Sequence, residues 1–281
     1  MDVRTYLEQQ QVHPQLIRAV EEFRNQYPVE EKVKYRVSDP MMPFYGTEIL
    51  EMGIAALLQK ENLLLSGSKA TGKNVLAENL AWIFQRPTYN ISFHVNTGSG
   101  DLIGTDTFED NQVKLRKGSI YQCAEYGGFG ILDEINMAKN DAVSVLHATL
   151  DYRRSIDVPG YDKIELHPAA RFIGTMNYGY AGTKELNEAL VSRFLVIQMP
   201  DQNEETLEKI FTTSFPEGKP EAIEQFIGLF LDLQKKAENG EISTKALDLR
   251  GILASLRAIR QGLKPSLAVS YTHLTLPTKR I

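Results

Sequence analysis

The sequence predicts an α/β fold in which helices cover a parallel β-sheet, followed by a small helical domain. Apolar runs without polar alternation, at residues 63–65, 129–132 and 194–197, are typical of strands buried on both faces. Helical patterns separate these runs, as connections between parallel strands require. The strand-like runs end at Pro200. Three helical segments are predicted beyond it, near residues 203–213, 219–237 and 247–261.

The chain is expected to contain four regions. They are a helical lead-in over residues 1–45, an α/β core over 46–200, a helical domain over 201–269 and a tail over 270–281. The tail shows no helical period where a further bundle helix is due, so we expect it to be foreign to the natural protein. The helical domain is therefore expected to be truncated.

Three local features are predicted inside these regions. Residues 33–37 alternate between apolar and polar side chains, as in a short strand. Residues 104–116 are predicted to form a hairpin, and a second hairpin is predicted between residues 153–156 and 163–166. Both hairpins interrupt the alternation of strands and helices in the core.

The composition excludes several classes of protein. The 281 residues carry a net charge of −5, which argues against a chain whose main role is to coat nucleic acid. Cys123 is the single cysteine, so an intrachain disulfide is impossible and a reducing, cytoplasmic setting is favoured. The start of the chain lacks a signal-peptide pattern, and no apolar run approaches the roughly 18 residues of a membrane span. The five histidines do not have metal-ligand spacing.

A glycine-rich segment is predicted to cradle the phosphates of a nucleoside triphosphate, with ATP as the preferred ligand. It follows a buried strand, opens a helix, and reads Gly67-Ser68-Lys69-Ala70-Thr71-Gly72-Lys73-Asn74. Glycines let backbone N–H groups converge on phosphate oxygens, and Lys73 is placed to reach the β and γ phosphates. A hydroxyl that binds Mg²⁺ is expected after the lysine. Asn74 stands there, and its amide oxygen can still accept a metal or a water.

Two adjacent carboxylates, Asp133 and Glu134, follow the apolar run of residues 130–132. Asp133 is the candidate ligand of Mg²⁺, and Glu134 is the candidate group that polarises the attacking water. Alternatively, the two residues cap a following helix. Asn177 ends the predicted strand 171–176, at the sheet edge where open α/β sheets bind ligands. Its amide is a candidate for positioning water beside the γ phosphate, and its alternative role is that of a turn residue.

Four ordered motifs together resemble an AAA+ ATPase. They are residues 67–74, Leu132-Asp133-Glu134-Ile135-Asn136, Gly174-Thr175-Met176-Asn177 and Leu190-Val191-Ser192-Arg193-Phe194. The chain is most similar to the MoxR and dynein-related branch. That branch has a hairpin insert, and the segment from Asp101 to Gly118 resembles it. The resemblance covers about residues 40–269. It implies a P-loop AAA+ three-layer sandwich over residues 46–200 and a helical lid over 201–269.

The resemblance also implies roles for two arginines. Arg193 would act as an arginine finger that reaches the γ phosphate of a neighbouring subunit, and its alternative is an arginine at a helix end. Arg250 would be the second sensor and contact the nucleotide of its own subunit, with Lys245 as the other candidate. The basic residues of the hairpins either line the pore of a ring or are solvated surface charges. They are Lys114, Arg116, Lys117, Arg153 and Arg154.

The function implied by this resemblance is that of an ATP- and Mg²⁺-dependent motor or chaperone. It would assemble with itself into a ring, expected to be a hexamer, and remodel a partner protein, with a von Willebrand factor A domain protein as the expected partner. One alternative is an NTPase that resembles McrB and acts with a nuclease on DNA, which the acidic composition disfavours. Another alternative, motivated by Asn74, is a nucleotide-clamped assembly factor with little turnover.

Overall fold

The computed structural model describes residues 2–138, 142, 144–158, 160–177, 186–242, 249–264 and 267–268. The chain divides into two compact units, one of Met1–Gly67 with Gly72–Met199 and the other of Ser68–Thr71 with Pro200–Ile281. The tail over 270–281 and the sensor candidate Lys245 lie outside the described residues.

Nine strands occur among the described residues. They are β1 (Leu63–Gly67), β2 (Thr88–Ser92), β3 (Gly104–Glu109), β4 (Gln112–Lys117), β5 (Phe129–Asp133), β6 (Ser155–Ile156), β7 (Ile164–Glu165), β8 (Arg171–Asn177) and β9 (Leu195–Gln198). Five of them form one sheet in the order β2-β5-β8-β1-β9, and all four neighbouring pairs are parallel. The predicted parallel sheet is confirmed.

Helices cover this sheet and build the second unit. In the first unit the α-helices are Val3–Gln9, Pro14–Gln26, Thr47–Leu58, Lys73–Ile83, Ser99–Leu102, Ser119–Tyr126, Leu146–Leu150 and Glu188–Val191. In the second unit they are Glu204–Ser214, Pro220–Glu238 and Leu249–Arg260, where the sequence predicts helices. Gly240 and Gly262 follow two of these helices at φ values of 73° and 99°, which suits glycine at a helix stop. None of the helices within the described ranges is long and apolar enough to cross a membrane.

The short strand predicted at residues 33–37 is wrong. Glu31–Arg36 is a 3₁₀ helix instead. Val33 is buried while Tyr35 is 76% exposed. The Val33 N–H donates a hydrogen bond to Glu30 O, three residues earlier, as in a 3₁₀ turn. Alternation alone does not make a strand, because a strand also needs a neighbour along its backbone.

Two apolar layers lie on the two faces of the sheet. Leu63 and Leu65 of β1 belong to one layer, and Leu64 between them belongs to the other, as the side-chain alternation of a strand requires. The first layer also contains Val20 and Phe23 from the second helix, Pro14–Gln26. The helical lead-in therefore shares a core with the sheet.

Buried arginines support the amino end of the sheet. Arg171 begins β8 with a relative exposure of 1%, and its guanidinium donates hydrogen bonds to the carbonyl oxygens of Leu57, Pro168 and Ala170. Arg86, equally buried, donates to Gly127 O and Tyr126 O. These bonds supply buried carbonyl oxygens at this end of the sheet with donors.

Both predicted hairpins are present. β3 pairs with β4 across a turn at Asp110 and Asn111, which adopt φ values of 54° and 59° as a tight hairpin turn requires. β6 pairs with β7 over two residues each. The Tyr161 hydroxyl, in the loop of the second hairpin, donates to Asp106 Oδ1 at 2.7 Å. The two hairpins are therefore linked.

Candidate functional site

The glycine-rich segment forms a tight loop between β1 and the helix Lys73–Ile83. Ala70 and Gly72 adopt left-handed conformations with φ values of 67° and 85°. Thr71 Oγ1 donates to Ser68 O at 3.0 Å within the loop. Residues in a left-handed conformation just before a helix orient successive backbone N–H groups toward one point. Backbone cradles bind anions in this way. The loop therefore has the local geometry of a phosphate-binding site.

Lys73 is the first residue of that helix and has a relative exposure of 7%. Its Nζ donates to Gly67 O, the carbonyl at the other end of the loop, at 3.0 Å. A buried ammonium is costly unless it has hydrogen-bond acceptors. This bond holds the charge of Lys73 at the loop, where phosphate oxygens would be its stronger acceptors.

The carboxyl ends of three neighbouring strands, β5, β8 and β1, meet at one edge of the sheet. β8 lies between β1 and β5, and the pairing places Asn177 opposite Gly67. Asp133 ends β5 and Glu134 follows it. The structure therefore brings Gly67, Lys73, Asp133, Glu134 and Asn177 to one edge of the sheet, as the sequence predicted.

Asp133 and Glu134 are hydrogen-bonded to a side chain of β8. The buried Thr175 hydroxyl donates to Asp133 Oδ1 at 2.6 Å and accepts the Glu134 N–H at 3.2 Å. Glu134 precedes the 3₁₀ helix Ile135–Met137 with φ of 53°, and its exposed side chain makes no capping hydrogen bond there. The helix-cap alternative for Glu134 therefore lacks the bond that it requires.

A second polar bridge joins the same strand ends. Asn136, buried in the 3₁₀ helix, donates its Nδ2–H to Asn177 O at 3.2 Å. The sequence alone assigns no site role to Thr175 or Asn136. Thr175 shares a strand face with Asn177, two residues away, and that spacing was the available signal.

The donor set suits Mg²⁺ bound together with a nucleotide. Within the described part of the chain, His, Cys, Asp and Glu side chains form no group of three that could hold a metal. Mg²⁺ usually keeps several waters and uses one or two carboxylates together with substrate phosphates. Asp133, with Asn74 in the first turn of the helix Lys73–Ile83, fits that pattern.

Arg193 makes its contacts within its own chain. Its Nε donates to His147 O at 3.2 Å, its Nη1 donates to Ala189 O, and its Nη2 lies 3.6 Å from Asp151 Oδ2. The pKa of Asp151 is lowered, first by the hydrogen bond from Arg153 and also by the charge of Arg193. A bond to a carbonyl of the preceding helix is what an arginine at a helix end makes. The role of Arg193 between subunits therefore stays a prediction.

Arg250 lies in the second unit, in the first turn of the helix Leu249–Arg260, and its side chain is exposed. Asp248, which precedes this helix, and the rival Lys245 lie outside the described residues. The sensor role of Arg250 stays a prediction.

The basic side chains of the hairpins have partners in this chain. Lys114 pairs with Asp110, Lys117 with Glu125 and Arg153 with Asp151, while Arg116 donates to Thr105 Oγ1 and Arg154 to Ala170 O. Neighbouring carboxylates offset the positive charge of three of these residues. The two alternatives for these residues, lining the pore of a ring or solvated surface charge, both stay predictions.

Comparison with known proteins places these features in a family. The profile of the AAA domain of the dynein-related subfamily matches residues 62–194. YojN of Bacillus subtilis, described as an uncharacterized protein, is 32% identical over 210 residues, which cover 73% of this chain and 69% of the relative. An uncharacterized protein of Staphylococcus aureus is 32% identical over 199 residues, which cover 69% of this chain and 76% of the relative.

One solved structure is similar in fold. A crystal structure assigned as an ATPase from Cytophaga hutchinsonii superposes with a TM-score of 0.50 at 19% sequence identity. The match covers 70% of this chain and 55% of the solved chain, so this chain spans little more than half of that protein. At this identity the likeness concerns the fold alone.

Proposed function

This chain belongs to the dynein-related subfamily of AAA domains, and from that membership we propose that it binds and hydrolyses ATP as a MoxR-type ring motor. The observation that carries the proposal is the meeting of three strand ends at one sheet edge. Lys73 lies at the loop after β1, Asp133 and Glu134 at the end of β5, and Asn177 at the end of β8.

In this proposal each group has one task. The loop N–H groups and Lys73 bind the triphosphate, and Asp133, with Asn74, holds Mg²⁺, which neutralises phosphate charge. Glu134 accepts a proton from a water that Asn177 orients toward the γ phosphorus. The oxygen of that water bonds to phosphorus as the bond to the bridging oxygen breaks, and the products are ADP and inorganic phosphate.

Glu134→Gln tests the hydrolysis step. The amide keeps the shape of the side chain but cannot accept the proton, so ATP affinity should persist while turnover falls by about 10²-fold or more. Calorimetry measures the affinity, and release of inorganic phosphate measures the turnover. Glu61→Gln is the matched control, because Glu61 is exposed at the opposite end of β1. A Glu134→Gln protein with wild-type turnover would contradict the proposal.

Assembly into a ring is proposed from the role that the family assigns to Arg193. The Arg193→Ala variant should bind ATP but lose turnover by roughly 10³-fold, which is the contribution of arginine fingers in other NTPases. Mixing it with Lys73→Ala protein tests the contact between subunits, because the second protein cannot load nucleotide but retains an intact Arg193. Turnover that reappears on mixing, and depends on total protein concentration, supports assembly.

Arg153→Ala is the control for this mixing experiment. Arg153 binds the same carboxylate of Asp151 as Arg193 does, but its loss should leave the single variant active. If mixed assemblies form, as mass measurement would establish, and no mixing ratio restores turnover, then Arg193 does not act between subunits. It would then be an arginine at a helix end.

The substrate class proposed is a protein, with a von Willebrand factor A domain protein as partner. The paired charges of the hairpins support this over the alternative that resembles McrB and acts on DNA. Phosphate release measured with and without double-stranded DNA separates the two, since a motor on DNA should be stimulated. Binding of ATP without any phosphate release would instead favour the nucleotide-clamped assembly factor.

A further inference from the structure

We infer that Thr175 is a positioning residue that sets the orientation of both carboxylates at the proposed site. The inference rests on the proposed function, because it concerns the groups assigned there to the metal and to the attacking water. Thr175 lies on β8, the strand between β5 and the loop-bearing β1, and has a relative exposure of 1%. Its hydroxyl bonds to two consecutive residues of the neighbouring strand end.

The first bond fixes Asp133. A threonine hydroxyl has a single proton to donate, and here Asp133 Oδ1 accepts it at 2.6 Å. That distance is typical of a hydrogen bond to an ionised carboxylate, the stronger class of hydrogen bond. A carboxylate is planar, so holding one oxygen also restricts the direction in which the other faces. The bond therefore keeps Asp133 in one orientation toward a metal.

The second bond fixes the backbone of Glu134. This residue has φ of 53°, a left-handed conformation that is unfavourable for a side chain with a Cβ atom. Its N–H donates to Thr175 Oγ1, so the hydroxyl stabilises the bend that ends β5. The position of the Glu134 carboxylate depends on that bend. One hydroxyl therefore aligns the metal ligand and the proposed proton acceptor together.

Asn74 makes this alignment more important. The phosphate-binding loop supplies an amide where a hydroxyl ligand is expected, so Asp133 has a larger share in placing the metal. Groups that hold metal ligands in place typically change metal affinity or activity by about 10–100-fold when they are removed. We expect an effect of that size for the Thr175 hydroxyl.

Thr175→Val removes the hydroxyl and keeps the branched shape, and Thr175→Ser keeps the hydroxyl. The test measures ATP affinity by calorimetry first with chelator and then across a Mg²⁺ titration, and phosphate release across the same titration. For Thr175→Val we expect unchanged affinity without metal, a half-saturating Mg²⁺ concentration raised about tenfold, and turnover lowered about 10–100-fold. Thr175→Ser should have the half-saturating Mg²⁺ concentration and the turnover of the wild type. A loss of packing alone would not shift the Mg²⁺ requirement.

Thr88→Val is the matched control. Thr88 is also a strand threonine with a bonded hydroxyl, which donates to Arg36 O, but it begins β2 at the opposite edge of the sheet. Thr175→Ala, which lacks the hydroxyl and is smaller, must reproduce the loss if Thr175→Val does not fold. Wild-type Mg²⁺ dependence and turnover in a folded hydroxyl-free variant would overturn the inference.

The outcome also separates this inference from the proposed function. If the wild-type chain binds ATP with Mg²⁺ but releases no phosphate, hydrolysis is refuted, while the Mg²⁺ titration of binding still decides the role of Thr175. If the wild-type chain binds no nucleotide, the proposed function and the inference about Thr175 are both refuted. A normal wild-type enzyme with an unaltered Thr175→Val variant refutes the inference alone.

Discussion

Replacing Arg171 by methionine should destabilise the fold without altering the nucleotide site. Arg171 Nε donates to Leu57 O at 2.6 Å, and Nη1 donates to Pro168 O at 2.7 Å and Ala170 O at 2.8 Å. Burial lowers the pKa of its guanidinium to about 10, so the group remains charged at neutral pH. These bonds connect the start of β8 with the helix Thr47–Leu58 and with the loop that precedes the strand.

The size of the effect follows from which carbonyl oxygens lose their donor. Hydrogen bonds from a charged donor contribute about 1.5–3 kcal/mol each. Leu57 O still accepts the Lys60 N–H, and Ala170 O still accepts Arg154 Nη2. Removing the guanidinium also removes the cost of burying its charge. We therefore expect a loss of about 3 kcal/mol, well below the sum of three bonds.

Thermal unfolding followed by circular dichroism measures this loss. For domains of roughly 150–250 residues, each kcal/mol shifts Tm by about 2–4 °C, so Arg171→Met should lower Tm by about 6–12 °C. Arg18→Met is the matched control, because Arg18 is exposed and such changes usually stay within about 0.5 kcal/mol. Below Tm, ATP affinity should be unchanged. A Tm within about 2 °C of wild type would refute the reasoning.

Two further predictions concern Asn74 and His167. Asn74→Ser should raise turnover or Mg²⁺ affinity in a phosphate-release titration, since it restores the hydroxyl; a clear drop in both would show a site adapted to the amide. The pKa of His167 is lowered, first by burial and then by Arg86, and its Nδ1 accepts the Ala169 N–H. The imidazole of His167 therefore takes up a proton more readily in the unfolded chain than in the folded one. The free energy of unfolding, measured with denaturant, should be intact above about pH 6.5 and decrease below it, and His167→Gln should lessen the decrease.

The sheet and the position of the site could be predicted because both depend on local sequence. Strands such as β1 and β5, buried on both faces, have continuous apolar runs. The polar residues that follow such runs must lie at the carboxyl edge of a parallel sheet. The predicted strand at residues 33–37 is wrong because apolar alternation also fits a short 3₁₀ turn with one buried face, as Val33 shows. Whether a neighbouring strand is available cannot be read from the segment itself.

The hydrogen bonds inside the site depend on strand order, which local sequence does not fix. Thr175 can reach Asp133 because β8 is the neighbour of β5, although about 40 residues separate the two strands along the chain. The contact of Arg193 with Asp151 likewise joins two distant segments. The motif around Arg193 indicated a functional arginine, but the motif alone could not show which carboxylate faces it.

β8 connects the stability of the fold with the geometry of the site. Arg171 holds its amino end, and Thr175 and Asn177 lie at its carboxyl end, opposite β5 and β1. Because side chains alternate along a strand, a slip of one residue would turn Thr175 to the other face and away from Asp133. The register of β8 is fixed on both sides by parallel partners and at its start by buried bonds. The carboxylates can therefore be aligned before any ligand binds, which is the condition for efficient electrostatic catalysis.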